Sequence, residues 1–187
     1  MVLLWIMAGV AALFFVWIVS AYNSLIALKN QTINGWKQID VQLKRRHDLI
    51  PNLVESVKGA MNFEQKTLTQ VIEARNKAIS AQGVAEKAVQ ENALTGALRQ
   101  LFALVENYPN LKSNENVSKL QEELVSTENR IGFARQFYND IATKFNIVQQ
   151  VFPRNIIASI FGFKAVELFE ITDASERAVP KVDLTLK

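Results

Sequence analysis

The sequence predicts an all-α protein. An N-terminal transmembrane helix continues into an antiparallel bundle of three to four long helices, followed by a short apolar C-terminal segment and an extended tail. Three observations carry this reading. The charged residues all lie at Lys29 or later, so the N-terminal run is free of charge. Beyond Trp36, apolar residues recur at steps of three and four almost throughout, the period of a helix face. Four prolines, at 51, 109, 153 and 180, punctuate that pattern. The resulting division is 1–22 anchor, 23–152 helical bundle, 153–171 apolar segment and 172–187 tail, extended or disordered.

Val2 to Val19 is built only of Val, Leu, Trp, Ile, Met, Ala, Gly and Phe. At 1.5 Å per residue it covers about 27 Å as a helix, close to the ~30 Å of a bilayer core. Trp5 lies near one end, and Trp17 and Tyr22 near the other, where interfacial aromatics collect. A cleaved signal peptide is the rival reading, and Val19-Ser20-Ala21 offers small residues for cleavage. It fits less well, because no Lys or Arg precedes the run and the run is too long. A retained anchor is expected. Lys29, Lys37 and Lys44 to Arg46 follow it, so the positive-inside rule leans toward a cytoplasmic body, weakly for so long a domain.

From Trp36 the apolar stripe runs Trp36, Ile39, Leu43, Ile50, Val54, Val57, Met61, Leu68 and Val71. With only Gly35 interrupting after Tyr22, the anchor is expected to run into this helix. Asp40 and Lys44 stand at i,i+4 as an outer pair. Pro51 lacks an N–H and crowds the carbonyl of His47. A kink is favoured over a hairpin there, because Asp48 to Asn52 is short and holds apolar residues. Ser80 to Gly83 reads as a turn. A helix from about Ala85 to Asn107 then places Ala88, Leu94, Leu98, Leu101 and Val105 inward and ends at Tyr108-Pro109-Asn110.

Ser113 or Asn114 is the expected cap of the last long helix. Its seam is Val117, Leu120, Leu124, Thr127, Ile131, Ala134, Tyr138, Ile141, Phe145, Val148 and Phe152, with steps alternating three and four. After Pro153, the residues Ile156, Ile157, Ile160, Phe161, Phe163, Leu168 and Phe169 are left over from the bundle stripes. They are the candidate oligomer or partner contacts, since a monomer rarely leaves so large an apolar patch open to water. Val182 to Leu186 alternates like a lone strand, with a disordered tail as the simpler reading.

Composition bounds the chemistry. The 187 residues are 49% hydrophobic and 21% charged, which fits neither a disordered nor a polytopic chain. Without cysteine there is no disulfide, thiolate metal site or cysteine nucleophile, and with one histidine, His47, no two-histidine site within one chain. A net charge of +3 is too small to argue for nucleic acid. His47, Asp48 and Glu55 lack the further ligands that a metal needs, so His47 reads as a partly buried polar residue near a kink. Lys44-Arg45-Arg46 spread about 200° around a helix, too far for one basic face, and read as solvated. No phosphate loop or nucleophile elbow is present. The expectation is no catalytic, cofactor-binding or metal residue, no cofactor and no enzyme activity.

Several blocks resemble the LemA family. They are Tyr22-Asn23 with Leu28, Asn30 and Trp36, then Gln38 to Arg46, Asp48 to Glu55 and Val57-Lys58-Gly59. Tyr108-Pro109, Leu111-Lys112, Leu120-Gln121, Glu128-Asn129, Arg135, Tyr138-Asn139 and Phe152-Pro153 complete the likeness, with Lys29 and Gly35 standing where the family usually has Arg and often Ala. The resemblance implies one N-terminal membrane helix and a helical body with no agreed catalytic activity. It also implies a link to membrane-associated peptidases, and to magnetosome membranes in one member.

The expected function is therefore a membrane-anchored helical scaffold or interaction protein, self-associating and engaged in membrane organisation or shaping. The alternative is an adaptor for a membrane-associated peptidase or other envelope enzyme. The expected partners are membrane lipid through the N-terminal helix, further copies of the chain as a homo-oligomer, and an envelope protein, with no nucleic acid. The expected location is the cell membrane, crossed once.

Overall fold

The computed structural model describes residues 1–59 and 64–170, and among them there are only helices, turns and irregular chain. Met61 and the Val182 to Leu186 alternation lie outside the described residues. The first helix, α1 (Val2–Lys58), is 57 residues long, or about 85 Å. Its first twenty residues touch little else, and burial begins at Ala21 and continues through Leu25, Leu28, Gly35, Ile39, Leu43, Ile50 and Val57. The apolar N-terminal run and the body thus share one helix.

Pro51 sits inside α1 and the chain does not reverse there. The carbonyl that loses its helical donor is that of His47, four residues back. Arg75 Nε donates to that oxygen at 2.7 Å. A side chain from the next helix therefore replaces the missing N–H.

The reversal comes later than the apolar stripe suggested. α1 ends at Lys58, and α2 (Gln65–Ser80) runs back along it, placing Arg75 beside His47. Periodicity had joined the two because Leu68 and Val71 continue the spacing of Val54 and Val57. A stripe marks the buried face of each helix and does not record a change of direction.

Ala81 and Gln82 turn the chain again into α3 (Gly83–Val105), with Gly83 at φ +75°, a conformation that glycine adopts without strain. A short α4 (Pro109–Lys112) leads to α5 (Glu115–Gln150). Asn114 caps α5 as expected: its side chain accepts from the N–H groups of Asn116 and Val117. Away from the N-terminal end, α1, α2, α3 and α5 form an up-down-up-down bundle around Ile50, Leu53, Val57, Val71, Leu94, Leu101 and Val117.

Nearer the N-terminal end only α1 and α5 remain paired. They approach closely where Gly35 faces Tyr138; a Cβ at Gly35 would lie 3.4 Å from the Tyr138 Cα. The α5 seam is buried as expected from Val117 to Tyr138, apart from a half-buried Leu120, then drifts. Ala142, Phe145 and Gln149 are buried, whereas Ile141 and Val148 are only half-buried and Phe152 is exposed. A straight helix of 3.6 residues per turn drifts about 20° per heptad from a strict 3.5 repeat, so over some three heptads the buried line moves by most of a residue.

The chain after α5 closes this two-helix portion. α6 (Arg154–Ile160) folds under the end of α5, and residues 163–170 run back along it as an extended strap. Two asparagines one heptad apart hold the strap. Asn146 accepts from Val166 N and donates to Val166 O, both at 2.9 Å. Asn139 pairs in the same way with Phe169 N and O, at 2.8 and 3.1 Å. Tyr138 donates its hydroxyl to Glu167 O at 2.6 Å. Burial, and then the nearby Glu167 carboxylate, hold the Tyr138 pKa above its ordinary value.

Candidate functional site

A layer of charge crosses the middle of the bundle. Arg46 and His47 are neighbours on α1, and Glu91 and Thr95 stand one turn apart on α3. Glu91 is fully buried and Arg46 is 1% exposed. The Glu91 carboxylate bridges the two bases: Oε1 lies 2.7 Å from His47 Nε2, and Oε2 lies 3.5 Å from Arg46 Nη1. From α5, Glu128 Oε2 approaches Arg46 Nη1 at 2.9 Å. Arg46 Nη2 donates to Thr95 Oγ1 at 2.7 Å. Burial pushes the Arg46 pKa below its ordinary value, and Glu128 and Glu91 oppose that shift.

This layer corrects the expectation that Arg46 is solvated. The apolar stripe stepped seven residues from Leu43 to Ile50, and Arg46 and His47 occupy that gap, at the inward positions three and four beyond Leu43. Glu91 fills the same kind of gap between Ala88 and Leu94. A missing apolar step on an otherwise regular face was thus the available signal. The expected Asp40–Lys44 pair is replaced by Asp40 with Lys87 of α3, at 2.7 Å. Arg45 does face outward, paired with Glu123.

The layer ties three helices together. Each charge is met by an opposite one from another helix, which fixes how α1, α3 and α5 sit together. A small cavity of about 180 Å³ lies beside it, lined by Arg46, Thr95, Phe102, Leu124 and Glu128 among others. Among the described residues, no group of three or more His, Asp or Glu is placed to hold a metal ion.

Among the open apolar surfaces of the described residues, two bear on association. On the side of the α1–α5 pair, a groove of about 520 Å³ is lined by Val41, Phe133, Ala134 and Phe137, with Lys37 and Arg130 at its rim. Phe133 is 74% exposed. The other surface is at the end of the body nearest the N-terminal helix. Here the structure divides the seven candidate contacts. Ile157 and Phe169 are buried and so closed to a neighbour, whereas Phe163 and Leu168 pack against their own chain but are only half-buried. Ile157 and Phe163 join Leu25, Leu28 and Phe145, while Leu168 and Phe169 cover Trp36 and Tyr138. Ile156, Ile160 and Phe161 stay exposed.

A family model described as LemA family matches residues 35–184. The chain belongs to the LemA family. The matched stretch opens at Gly35, the close contact of α1 with α5, and takes in all of the charged layer. The chain is 28% identical over 155 residues to Protein LemA of Metamycoplasma hominis, covering 81% of this chain and 69% of the relative. It is 27% identical over 184 residues to Magnetosome protein MamQ 2 of Paramagnetospirillum magneticum, covering 84% and 68%. Magnetosome protein MamQ of Magnetospirillum gryphiswaldense is 24% identical over the same length. Family membership and the exposed N-terminal helix together fit a membrane location.

Proposed function

We propose that this LemA-family chain is a single-pass, membrane-anchored helical scaffold that self-associates in the plane of the bilayer and catalyses no reaction of its own. The observation that carries the reading is α1. No residue of its apolar window is buried inside the molecule, and only its last turn, at Trp17 and Ile18, touches the body, yet the same helix supplies Leu43, Ile50 and Val57 to the core. An unbroken helix transmits the orientation of the anchor to the body. Val41 then stands about 33 Å above Val19 at 1.5 Å per residue.

Every copy in one membrane presents the Val41, Phe133 and Phe137 groove at that height. Parallel anchors raise the local concentration of identical bodies. A two-fold axis along the membrane normal would bring groove to groove and cover both phenylalanines. Relatives named as magnetosome proteins are in keeping with a part in membrane organisation. The basic rim, Lys37 and Arg130, favours a second reading, in which the groove takes an acidic helix of an envelope enzyme and the chain acts as its adaptor.

The test is a bifunctional maleimide on Phe133→Cys in native membranes, where the chain itself offers no competing cysteine. A cross-linked homodimer supports the scaffold. A conjugate with a different protein, and no homodimer, supports the adaptor and contradicts self-association.

A further inference from the structure

We propose that the turn after α5 and the outer face of α6 seat in the interfacial layer of the same bilayer that α1 enters, so that the body stands on a second, monotopic foot with a preference for anionic headgroups. This rests on the reading of Val2 to Val19 as a membrane span. Three observations carry it.

The first is height. α1 and α5 are antiparallel with Gly35 against Tyr138. Following each helix twelve residues toward the N-terminal end brings Gln150, the last residue of α5, opposite Asn23. The next residues, Val151 to Pro153, fall opposite 20–22, within about one turn of the end of the apolar run at Val19. Direct contacts agree: the Tyr22 ring lies 4.6 Å from that of Phe161, and Trp17 and Ile18 pack on the cluster that holds Ile157 and Ala158. The headgroup regions add about 5–8 Å on each side of the hydrocarbon core. α6 therefore lies within that layer whenever α1 spans.

The second is polarity. Ile157 and Ala158 face the bundle, while Phe152 at 74% and Ile160 at 71% exposure, with Ile156 and Phe161, face away from it. This open patch is continuous, through Tyr22 and Trp17, with the exposed apolar surface of the span. A patch of this kind in water would be costly, whereas an amphipathic segment lying in the interface buries its apolar face among acyl chains.

The third is charge. Residues 1–39 and 141–166 contain no Asp or Glu, yet carry Lys29, Lys144, Arg154 and Lys164 on the membrane side, with Lys37 farther up. On α1 and α5 the first acids, Asp40 and Asp140, lie higher up the body, and on the strap the first is Glu167, held beside Tyr138. Arg154 opens α6, and Lys164 follows it by four residues. Basic residues within about a Debye length of an anionic surface are attracted to it.

The test places spin labels on single cysteines in the full chain in lipid nanodiscs. Ile160→Cys reports the foot, Val10→Cys the span, and Val89→Cys, on α3, the water-exposed body. Collision with oxygen against a water-soluble nickel chelate gives depth. The expected result is an Ile160 label more shielded from nickel than Val89 and shallower than Val10. Adding phosphatidylglycerol moves it deeper, and Arg154→Gln with Lys164→Gln removes that shift. An Ile160 label as nickel-accessible as Val89, with Val10 still in the core, overturns the foot and leaves the anchor standing. A nickel-accessible Val10 overturns the anchor itself. Broadening at Ile160 that vanishes on dilution with unlabelled chain means that a second copy covers the patch, and also overturns the proposal. No response to phosphatidylglycerol overturns the role of the basic residues.

Discussion

Replacing Glu91 by alanine tests the charged layer most severely. The native carboxylate is fully enclosed between His47 and Arg46. Without it, Arg46 keeps Thr95 and Glu128, but the Glu128 side chain is 38% exposed and its attraction is partly screened by solvent. Breaking a buried pair by removing one partner typically costs about 3–5 kcal/mol, because a charge is left uncompensated in the interior. Against the ~5–15 kcal/mol total of an ordinary domain, that is about a fifth or more. Arg45→Ala on the same turn removes a half-exposed pair and is expected to cost about 1 kcal/mol or less. The double variant Arg46→Met with Glu91→Leu removes both charges at similar volume and is expected to recover most of the loss, giving a coupling of about 2 kcal/mol or more. The assay is urea unfolding of the detergent-solubilised chain followed by far-UV circular dichroism, urea being uncharged. A Glu91→Ala loss below about 1 kcal/mol, or a double variant as costly as the two single ones summed, would refute the reasoning.

Asn139→Ala and Asn146→Ala each remove a two-bond clasp on the strap; each is expected to cost about 1–2 kcal/mol and to speed amide exchange at Phe169 and Val166 respectively. Ala142 is fully buried while Ile141 is half-buried, so Ala142→Asp should lower the melting temperature clearly more than Ile141→Asp; the reverse order would mean that the seam does not drift. Gly35→Ala should be close to neutral, because its Cβ would meet Tyr138 at ordinary contact distance. Gly35→Leu should cost about 1–3 kcal/mol by overpacking, read from the same urea midpoints.

The helices were legible because each buries a single face, and the 3–4 spacing reports that directly. The Asn114 cap and the turn before Gly83 could be read locally for the same reason. Direction could not: Val57 and Leu68 follow one stripe although the chain reverses between them. Helix partners could not be read either. Nothing in the sequence near His47 names Glu91, 44 residues away, and the pairing arises only when α3 lies against α1. The strap was missed because extended chain held by asparagine side chains has no apolar period. The apolar character of Ile156 to Phe169 was plain, but which of these residues would face inward depended on where α6 folds.

The most direct measurement of the central claim is the protein mass of the full chain in a mild detergent, by light scattering corrected for bound detergent. The chain has a mass of 21.1 kDa. A self-associating scaffold predicts a homogeneous particle of two or more copies, reduced to one by Phe133→Asp. A wild-type particle holding a single 21.1 kDa chain at every concentration would contradict it.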